Sequence, residues 1–167
     1  MGIEIERKFL LKDSSWKDQV TTLPRSLEQG YFLRASGGPT VRVRIADDNA
    51  FLTIKGRSKG AEGLERSEFE YPIPLEDARM MLTELCQERV VKKLRYHLPA
   101  ENGLVWEIDE YLELNEGLFT AEIELPDPET SFEKPDWLGE EVSGDKRYSN
   151  GALSVSPYST WETKENE

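Results

Sequence analysis

Charged and apolar residues alternate with a period of two along most of this 167-residue chain. Since successive side chains of a β-strand point to opposite faces, the alternation predicts strands with one charged and one mainly apolar face. The pattern is carried by Glu4/Glu6/Lys8, Arg42/Arg44, Thr53/Lys55, Glu68/Glu70, Lys93/Arg95, Glu107/Asp109 and Glu122/Glu124. The chain is therefore expected to be mainly β, with a few helices, of which residues 75–86 give the clearest signal.

Two arrangements of these strands satisfy the alternation. An open antiparallel sheet would bury its apolar face and expose its charged face to water, which is the common arrangement. A closed barrel would enclose the charged face and place the apolar face outside, beneath helices and neighbouring segments. The composition of the charged face favours the barrel, because it is almost wholly Asp, Glu, Lys and Arg, sorted by sign from segment to segment. The alternation alone does not distinguish the open sheet from the closed barrel.

The charges on this face indicate what it could bind. Two ionised carboxylates at adjacent positions on one face, such as Glu4 and Glu6, lie roughly 6.5–7 Å apart and repel by about 2.5 kcal/mol at an effective dielectric of about 20. A divalent cation would offset that repulsion, and carboxylate oxygens are the ligands that Mg²⁺ and Mn²⁺ prefer. Arg and Lys bind phosphate oxygens. A face that carries both sets suits a metal–triphosphate complex.

Composition argues against several other kinds of function. A net charge of −12 disfavours nucleic acid as a partner, because phosphate backbones attract basic surfaces. The single cysteine, Cys86, cannot form a disulfide framework and indicates a reducing compartment such as the cytoplasm. The single histidine, His97, leaves almost no material for a zinc site or a Ser-His-Asp triad. No stretch approaches the roughly 20 apolar residues of a membrane span.

The ordered set of charged motifs resembles the CYTH superfamily of triphosphate tunnel metalloenzymes. The likeness begins at Glu4-x-Glu6-x-Lys8, continues through Gln29-Gly30-Tyr31 and the charged pairs, and ends with Gly139-Glu140-Glu141-Val142 and Asp145-Lys146-Arg147-Tyr148. It extends to about Leu153 and shows no departure among the charged positions. With this ending, the chain is most similar to the compact bacterial branch of inorganic triphosphatases.

The resemblance implies an eight-stranded antiparallel β-barrel with a charged interior, a divalent metal ion (Mg²⁺ or Mn²⁺) and hydrolysis of triphosphate compounds. One domain is expected over residues 1–155, followed by a polar tail at 156–167. The implied triphosphate-binding residues are Lys8, Arg42, Arg44, Lys55, Lys93, Arg95 and Arg147. The implied metal-binding residues are Glu4, Glu6, Asp109, Glu122 and Glu124, with Glu68, Glu70 and Glu107 in support. A Lys–Tyr pair that the branch uses in hydrolysis corresponds to Lys8 and Tyr31.

Three alternatives stay open at this point. A class IV adenylyl cyclase or a thiamine triphosphatase would use the same metal and phosphate apparatus on another substrate. A non-catalytic module would bind polyphosphate or a nucleotide without cleaving it. A homodimer is also left open, whereas no nucleic-acid or membrane partner is expected. Because protons compete with a metal ion for carboxylates, activity is expected at neutral to alkaline pH.

Overall fold

The structure, a computed structural model, describes residues 2–60 and 63–161, and strands account for 43% and helices for 22%. Its strands are Gly2–Leu11 (β1), Arg25–Tyr31 (β2), Thr40–Ala46 (β3), Asn49–Lys55 (β4), Glu65–Ile73 (β5), Val90–Pro99 (β6), Val105–Tyr111 (β7), Phe119–Glu124 (β8) and Leu138–Glu141 (β9). Its α-helices are Leu75–Met81 (α1), which a π-helical turn continues over Leu82–Cys86, and Asn150–Val155 (α2). Short 3-10 turns span Ser15–Gln19, Glu101–Gly103, Glu113–Asn115, Lys146–Tyr148 and Tyr158–Thr160.

Eight of the strands form a closed antiparallel barrel, which confirms the predicted fold. They follow the order β5-β4-β3-β2-β6-β7-β8-β1, and β1 returns to pair with β5. The first half of β1 makes this closure, with Ile5 opposite Glu65, while its second half pairs with β8, with Lys8 opposite Glu122. The short strand β9, which the sequence did not predict, pairs with the end of β1.

The apolar face of the barrel points outward, and the connecting segments cover much of it. Its largest cluster combines Trp106 of β7 and Phe9 of β1 with Trp137, which precedes β9, and Trp16 from the first 3-10 turn. Trp106 lies edge-on to Phe9 and to Trp137, at centroid distances of 5.8 and 5.6 Å. Burial of each such aromatic side chain contributes about 1.5–3 kcal/mol. This outer core leaves the charged face inside.

A second outer cluster lies between the helix and strands β3 and β4. Ala78 of α1 and Leu82 and Cys86 of the π-helical turn pack with Val43 and Ala50. The helix predicted at 75–86 is therefore present, but its last turn is π-helical and not α-helical. This turn also rests closely on β2.

We expect Gly30→Ala to destabilise the fold at this contact. Gly30 lies in β2, where an added Cβ would stand 2.7 Å from both Cys86 Cβ and Leu82 Cδ2. Overpacking of this kind costs about 1–3 kcal/mol, which corresponds to a fall of about 2–12 °C in melting temperature for a chain of this size. Gly144→Ala is the matched control, because no atom beyond its own residue and its two chain neighbours lies within 4 Å of its new Cβ. Equal melting temperatures for the two variants would contradict this packing.

The C-terminal segment packs against one end of the barrel. Leu153 of α2 is buried in a cluster with Tyr111 at the end of β7, and Tyr158 and Trp161 pack against the same cluster. Tyr158 and Trp161, which fall in the stretch expected to be a polar tail, thus pack on this cluster; residues 162–167 lie outside the described residues. Among the residues that the structure describes, no helix has the length and apolar character needed to cross a membrane.

Candidate active site in the barrel interior

The interior of the barrel is lined with charged and polar side chains. Those that are buried are Glu4, Gln29, Arg42, Thr53, Lys55, Lys93, Asp109, Thr120 and Glu122. Ionised groups are almost never buried in this way unless they are paired. Lys55 of β4 pairs with Glu4 of β1 at 2.8 Å, and Arg95 of β6 contacts Glu122 of β8 at 3.7 Å. Each contact joins strands that are not neighbours in the sheet, so these side chains point into the bore.

Asp109 holds two of the predicted phosphate-binding cations. Its carboxylate accepts a hydrogen bond from Lys93 Nζ at 2.7 Å and from Arg95 Nε and Nη2 at 2.8 and 2.9 Å. Burial would raise the pKa of Asp109, but the charges of Arg95 and Lys93 hold it at about 2. Both oxygens of Asp109 are therefore engaged, and two cations are fixed side by side on β6.

Arg44 of β3 faces the same space and begins a chain of hydrogen bonds. Its Nε donates to Gln29 Oε1 at 2.9 Å, and Gln29 Nε2 donates to the Tyr31 hydroxyl at 2.6 Å. Burial, followed by the charges of Arg42 and Arg95, lowers the pKa of Arg44 to about 10. Burial is the main cause of this lowering, and the two neighbouring guanidinium groups add to it.

Arg42, also on β3, has an unsatisfied donor. Its Nη2 contacts Thr53 Oγ1 at 3.3 Å and Glu70 Oε1 at 3.5 Å. Its Nε is buried and has no hydrogen-bond partner within the described part of the chain. A buried guanidinium N–H without an acceptor is costly, and an anion in the bore would satisfy it.

Carboxylates crowd together in another part of the interior. Burial, then the charges of Glu122 and Glu4, raises the pKa of Glu6 well above its usual value, and Glu6 shares a hydrogen bond with Glu122. Burial also raises the pKa of Glu4 and of Glu124, and for Glu124 the charges of Glu4 and Glu68 add to it. The pKa of Glu122, in contrast, is lowered, and the charge of Lys8 is the largest contribution to the lowering. These carboxylates supply the oxygen ligands that a hard divalent cation prefers.

These carboxylates fit a metal ion by chemistry but do not form a ready-made set of ligands. Among residues 2–60 and 63–161, no three Asp, Glu, His or Cys side chains are grouped so that they could hold a metal ion. Lys55 is one reason, since its Nζ lies 2.8 and 3.0 Å from the two Glu4 oxygens and 3.4 Å from Glu68. Its ammonium provides the positive charge that a metal ion would provide.

The supporting carboxylates predicted from the sequence each contact a cation of the bore. The pairs, all at 3.4–3.5 Å, are Glu68 with Lys55, Glu70 with Arg42 and Glu107 with Arg95. Glu107 also lies 3.3 Å from Nε2 of His97. These side chains hold the cations in place as counter-ions.

Lys8 and Tyr31, the predicted pair for hydrolysis, both approach the C-terminal segment. Lys8 Nζ donates to the Tyr148 carbonyl at 2.9 Å. A Cβ placed on Gly151 would lie 3.8 Å from the ring of Tyr31, which is itself buried. The segment that packs on the end of the barrel therefore touches both members of the pair.

Arg147 is placed differently from the other predicted phosphate-binding residues. Its side chain is 53% exposed, and its guanidinium binds Asp145 through Nε at 3.1 Å and Nη2 at 2.7 Å. It also lies 5.0 Å from the centre of the Trp161 ring. The carboxylate two residues earlier thus holds this guanidinium on the C-terminal segment, and its role in phosphate binding stays a prediction.

Two residues that were not predicted from the sequence, Tyr111 and Asn150, lie beside Lys93. Asn150 Oδ1 accepts hydrogen bonds from Lys93 Nζ and from the Tyr111 hydroxyl, both at 3.0 Å. Tyr111 could have been found by extending the alternating series Glu107, Asp109 by one step. Asn150 lies in a six-residue helix that carries no periodic signal.

Comparison with known proteins places this bore in a family. The family model described as the CYTH domain matches residues 2–152. The inorganic triphosphatase of Acetivibrio thermocellus is 45% identical over 95% of this chain and 97% of its own length, and that of Nitrosomonas europaea is 35% identical over 92% and 97%. The crystal structure of the inorganic triphosphatase NE1496 matches with a TM-score of 0.64 at 30% identity, covering 91% of this chain and 94% of that one. This chain belongs to the CYTH domain family.

Proposed function

We propose that this protein hydrolyses triphosphate compounds with a divalent metal ion, and that inorganic triphosphate is the substrate, split into pyrophosphate and phosphate. The observation that carries the proposal is a closed bore that encloses both cations, on β3 and β6, and a group of carboxylates, on β1 and β8. The phosphate oxygens of a triphosphate would bind the cations, and its metal ion would bind the carboxylates. Two relatives similar over almost the whole chain are named inorganic triphosphatases.

The cations on β3 and β6 would bind the phosphate oxygens. Asp109, although predicted as a metal ligand, has both oxygens engaged by the two cations of β6, and we assign it to holding them. Gln29 holds Arg44 in the same way, and the unsatisfied Nε of Arg42 would donate to a phosphate oxygen. Because these donors are fixed before the substrate binds, they stabilise the charge that develops as the phosphoryl group is transferred.

The metal ion would be held by Glu6 and Glu122 with Glu4 and Glu124, and Mg²⁺ or Mn²⁺ suits such oxygen ligands. When bound, it would neutralise phosphate charge and activate a water molecule. Glu6 would give up the proton that it shares with Glu122, and Lys55 would be free to turn from Glu4 to the phosphates. Because the pKa of Glu6 is raised, this deprotonation becomes easier as the pH rises, in agreement with the neutral to alkaline optimum expected from the sequence.

We expect Tyr31→Phe to reduce kcat by at least about 100-fold, the scale of a lost proton donor. The Tyr31 oxygen accepts from Gln29, whose amide is oriented by Arg44, so the hydroxyl proton of Tyr31 is left to a phosphate or a water in the bore. Steady-state phosphate release measures the effect. Tyr96→Phe is the control, since its hydroxyl bonds Glu110 on the outer face. A wild-type kcat in Tyr31→Phe would exclude this role.

A substrate panel tests the proposed function. The protein is incubated with inorganic triphosphate, thiamine triphosphate or ATP, each with Mg²⁺ and with Mn²⁺, and the released phosphate and cyclic AMP are measured. We expect metal-stimulated phosphate release that is fastest from inorganic triphosphate. Cyclic AMP formed from ATP would indicate an adenylyl cyclase, and faster cleavage of thiamine triphosphate would indicate a thiamine triphosphatase. Triphosphate binding without release would indicate a non-catalytic module.

A further inference from the structure

The side chain of Asn150 reaches the candidate active site from the C-terminal segment. Asn150 is the first residue of α2, and Ser149 caps this helix, its Oγ accepting from the Ala152 amide at 3.2 Å. Near the other end of the helix, Leu153 is fully buried in the cluster that covers the end of the barrel. The helix is therefore anchored on both sides of its first turn, and Asn150 is held against the bore.

The Asn150 oxygen accepts two hydrogen bonds from side chains that are almost completely buried. Lys93 Nζ and the Tyr111 hydroxyl each donate to Oδ1 at 3.0 Å, and their residues are 0% and 1% exposed. Asp109 Oδ2 accepts from Lys93 Nζ at 2.7 Å. An ammonium group has three N–H donors, so Asp109 and Asn150 together leave one donor of Lys93 for a further acceptor.

The two acceptors of Lys93 differ in charge, and the difference bears on phosphate binding. Asp109 also binds Arg95, which contacts Glu107 and Glu122 as well, whereas the hydrogen bonds of Lys93 go to Asp109 and Asn150. Asn150 orients the ammonium of Lys93 without adding a second negative charge. A carboxylate in its place could accept the same hydrogen bonds, but it would neutralise Lys93 and repel a phosphate group.

We propose that Asn150 is a positioning residue, which aims the remaining N–H of Lys93 at a phosphate oxygen and adds no negative charge beside Lys93 that would repel the substrate. The inference rests on the proposed function, because it takes a triphosphate as the ligand of Lys93. Tyr111 belongs to the same arrangement. Its hydroxyl donates to Asn150 Oδ1, which fixes the amide so that its oxygen, and not its NH₂ group, faces Lys93.

The variant Asn150→Asp separates this positioning role from packing. It keeps the shape and the Oδ1 acceptor, so the melting temperature is expected to stay within about 4 °C of the wild type. The KM for inorganic triphosphate with Mg²⁺ is expected to rise about 10- to 100-fold, the size of one lost charge-assisted contact, while kcat changes by less than about threefold. Asn150→Ala removes the acceptor and is also expected to raise KM, by about 3- to 10-fold.

Asn115→Asp is the matched control for the change in charge. Asn115 is also buried, but its Oδ1 accepts from the Tyr158 amide at 2.8 Å, on the loop between β7 and β8. This variant is expected to keep the wild-type KM. A wild-type KM in Asn150→Asp, or in Asn150→Ala where the Asp variant does not fold, would overturn the role of Asn150 and leave the proposed function standing. A wild-type protein that neither binds nor hydrolyses inorganic triphosphate would overturn both.

Discussion

Replacing Glu122 with glutamine is expected to abolish metal-stimulated hydrolysis of inorganic triphosphate while the fold survives. Glu122 lies on β8 between Lys8 of β1 and Glu107 of β7, and it shares a hydrogen bond with Glu6. Glutamine keeps the shape of the side chain but not its charge, so the carboxylate group would hold a divalent cation more weakly. We expect turnover to fall by at least about 100-fold, because a ligand of the metal matters at least as much as the groups that orient it.

Phosphate release over a range of Mg²⁺ concentrations measures this effect, with the melting temperature recorded on the same sample. Partial recovery at high Mg²⁺ is the expected sign of weakened metal binding. Glu110→Gln is the matched control, since Glu110 accepts from the Tyr96 hydroxyl at 3.1 Å on the outer face of β7 and should keep wild-type turnover. Wild-type turnover in Glu122→Gln would exclude a role for Glu122 in metal binding.

Replacing Asp109 with asparagine is expected to have the largest effect on stability. Asp109 and Lys93 are completely buried, and Asp109 also accepts two hydrogen bonds from Arg95. The amide would remove the carboxylate that binds Lys93 and the nearest carboxylate of Arg95, at a cost of about 3–5 kcal/mol in the free energy of unfolding. For a chain of this size, the melting temperature should fall by about 6–20 °C. Hydrolysis should fail as well, because the two cations would lose their alignment.

Thermal unfolding of Asp109→Asn checks this expectation against a surface pair. Glu113→Gln is the control, since Glu113 and Lys92 form an ion pair of 3.3 Å with both side chains largely exposed. Such pairs contribute about 0–1 kcal/mol, so the control should melt close to the wild type. If the melting temperature of Asp109→Asn also equalled that of the wild type, Asp109 would not be the carboxylate that holds Lys93 and Arg95 in the bore.

The alternation of charge predicted the strands, because the two faces of a sheet differ at every second residue. The composition of the charged face favoured the closed barrel, and the family resemblance implied it. Where a segment lacks that alternation, the prediction failed. Strand β9 has only four residues, Leu-Gly-Glu-Glu, and it forms because its backbone meets the edge of β1. The helix at 75–86 was predicted from its apolar spacing, whereas its π-helical turn packs on Gly30, a contact that no local pattern records.

The charged members of the candidate site could be identified from the sequence for the same reason, but their partners could not. Lys93 lies in an alternating strand, whereas Asn150 meets it only after the chain has returned across the end of the barrel. For Arg147, the motif could be recognised from the sequence, but the partner of its side chain could not. It lies in a motif that matches the family, but Asp145, two residues earlier, binds its guanidinium. Such a contact depends on the backbone conformation between the two residues, which the motif does not specify.

A crystal structure with inorganic triphosphate and Mn²⁺ tests most directly whether the enclosed charged face is the substrate site. The anomalous scattering of manganese locates the metal ion independently of the phosphates. We expect the triphosphate inside the barrel, with Arg42 Nε donating to a phosphate oxygen and Mn²⁺ bound by Glu6 and Glu122. Triphosphate and Mn²⁺ bound only at the outer surface, with Lys55 still paired to Glu4 inside, would contradict the assignment.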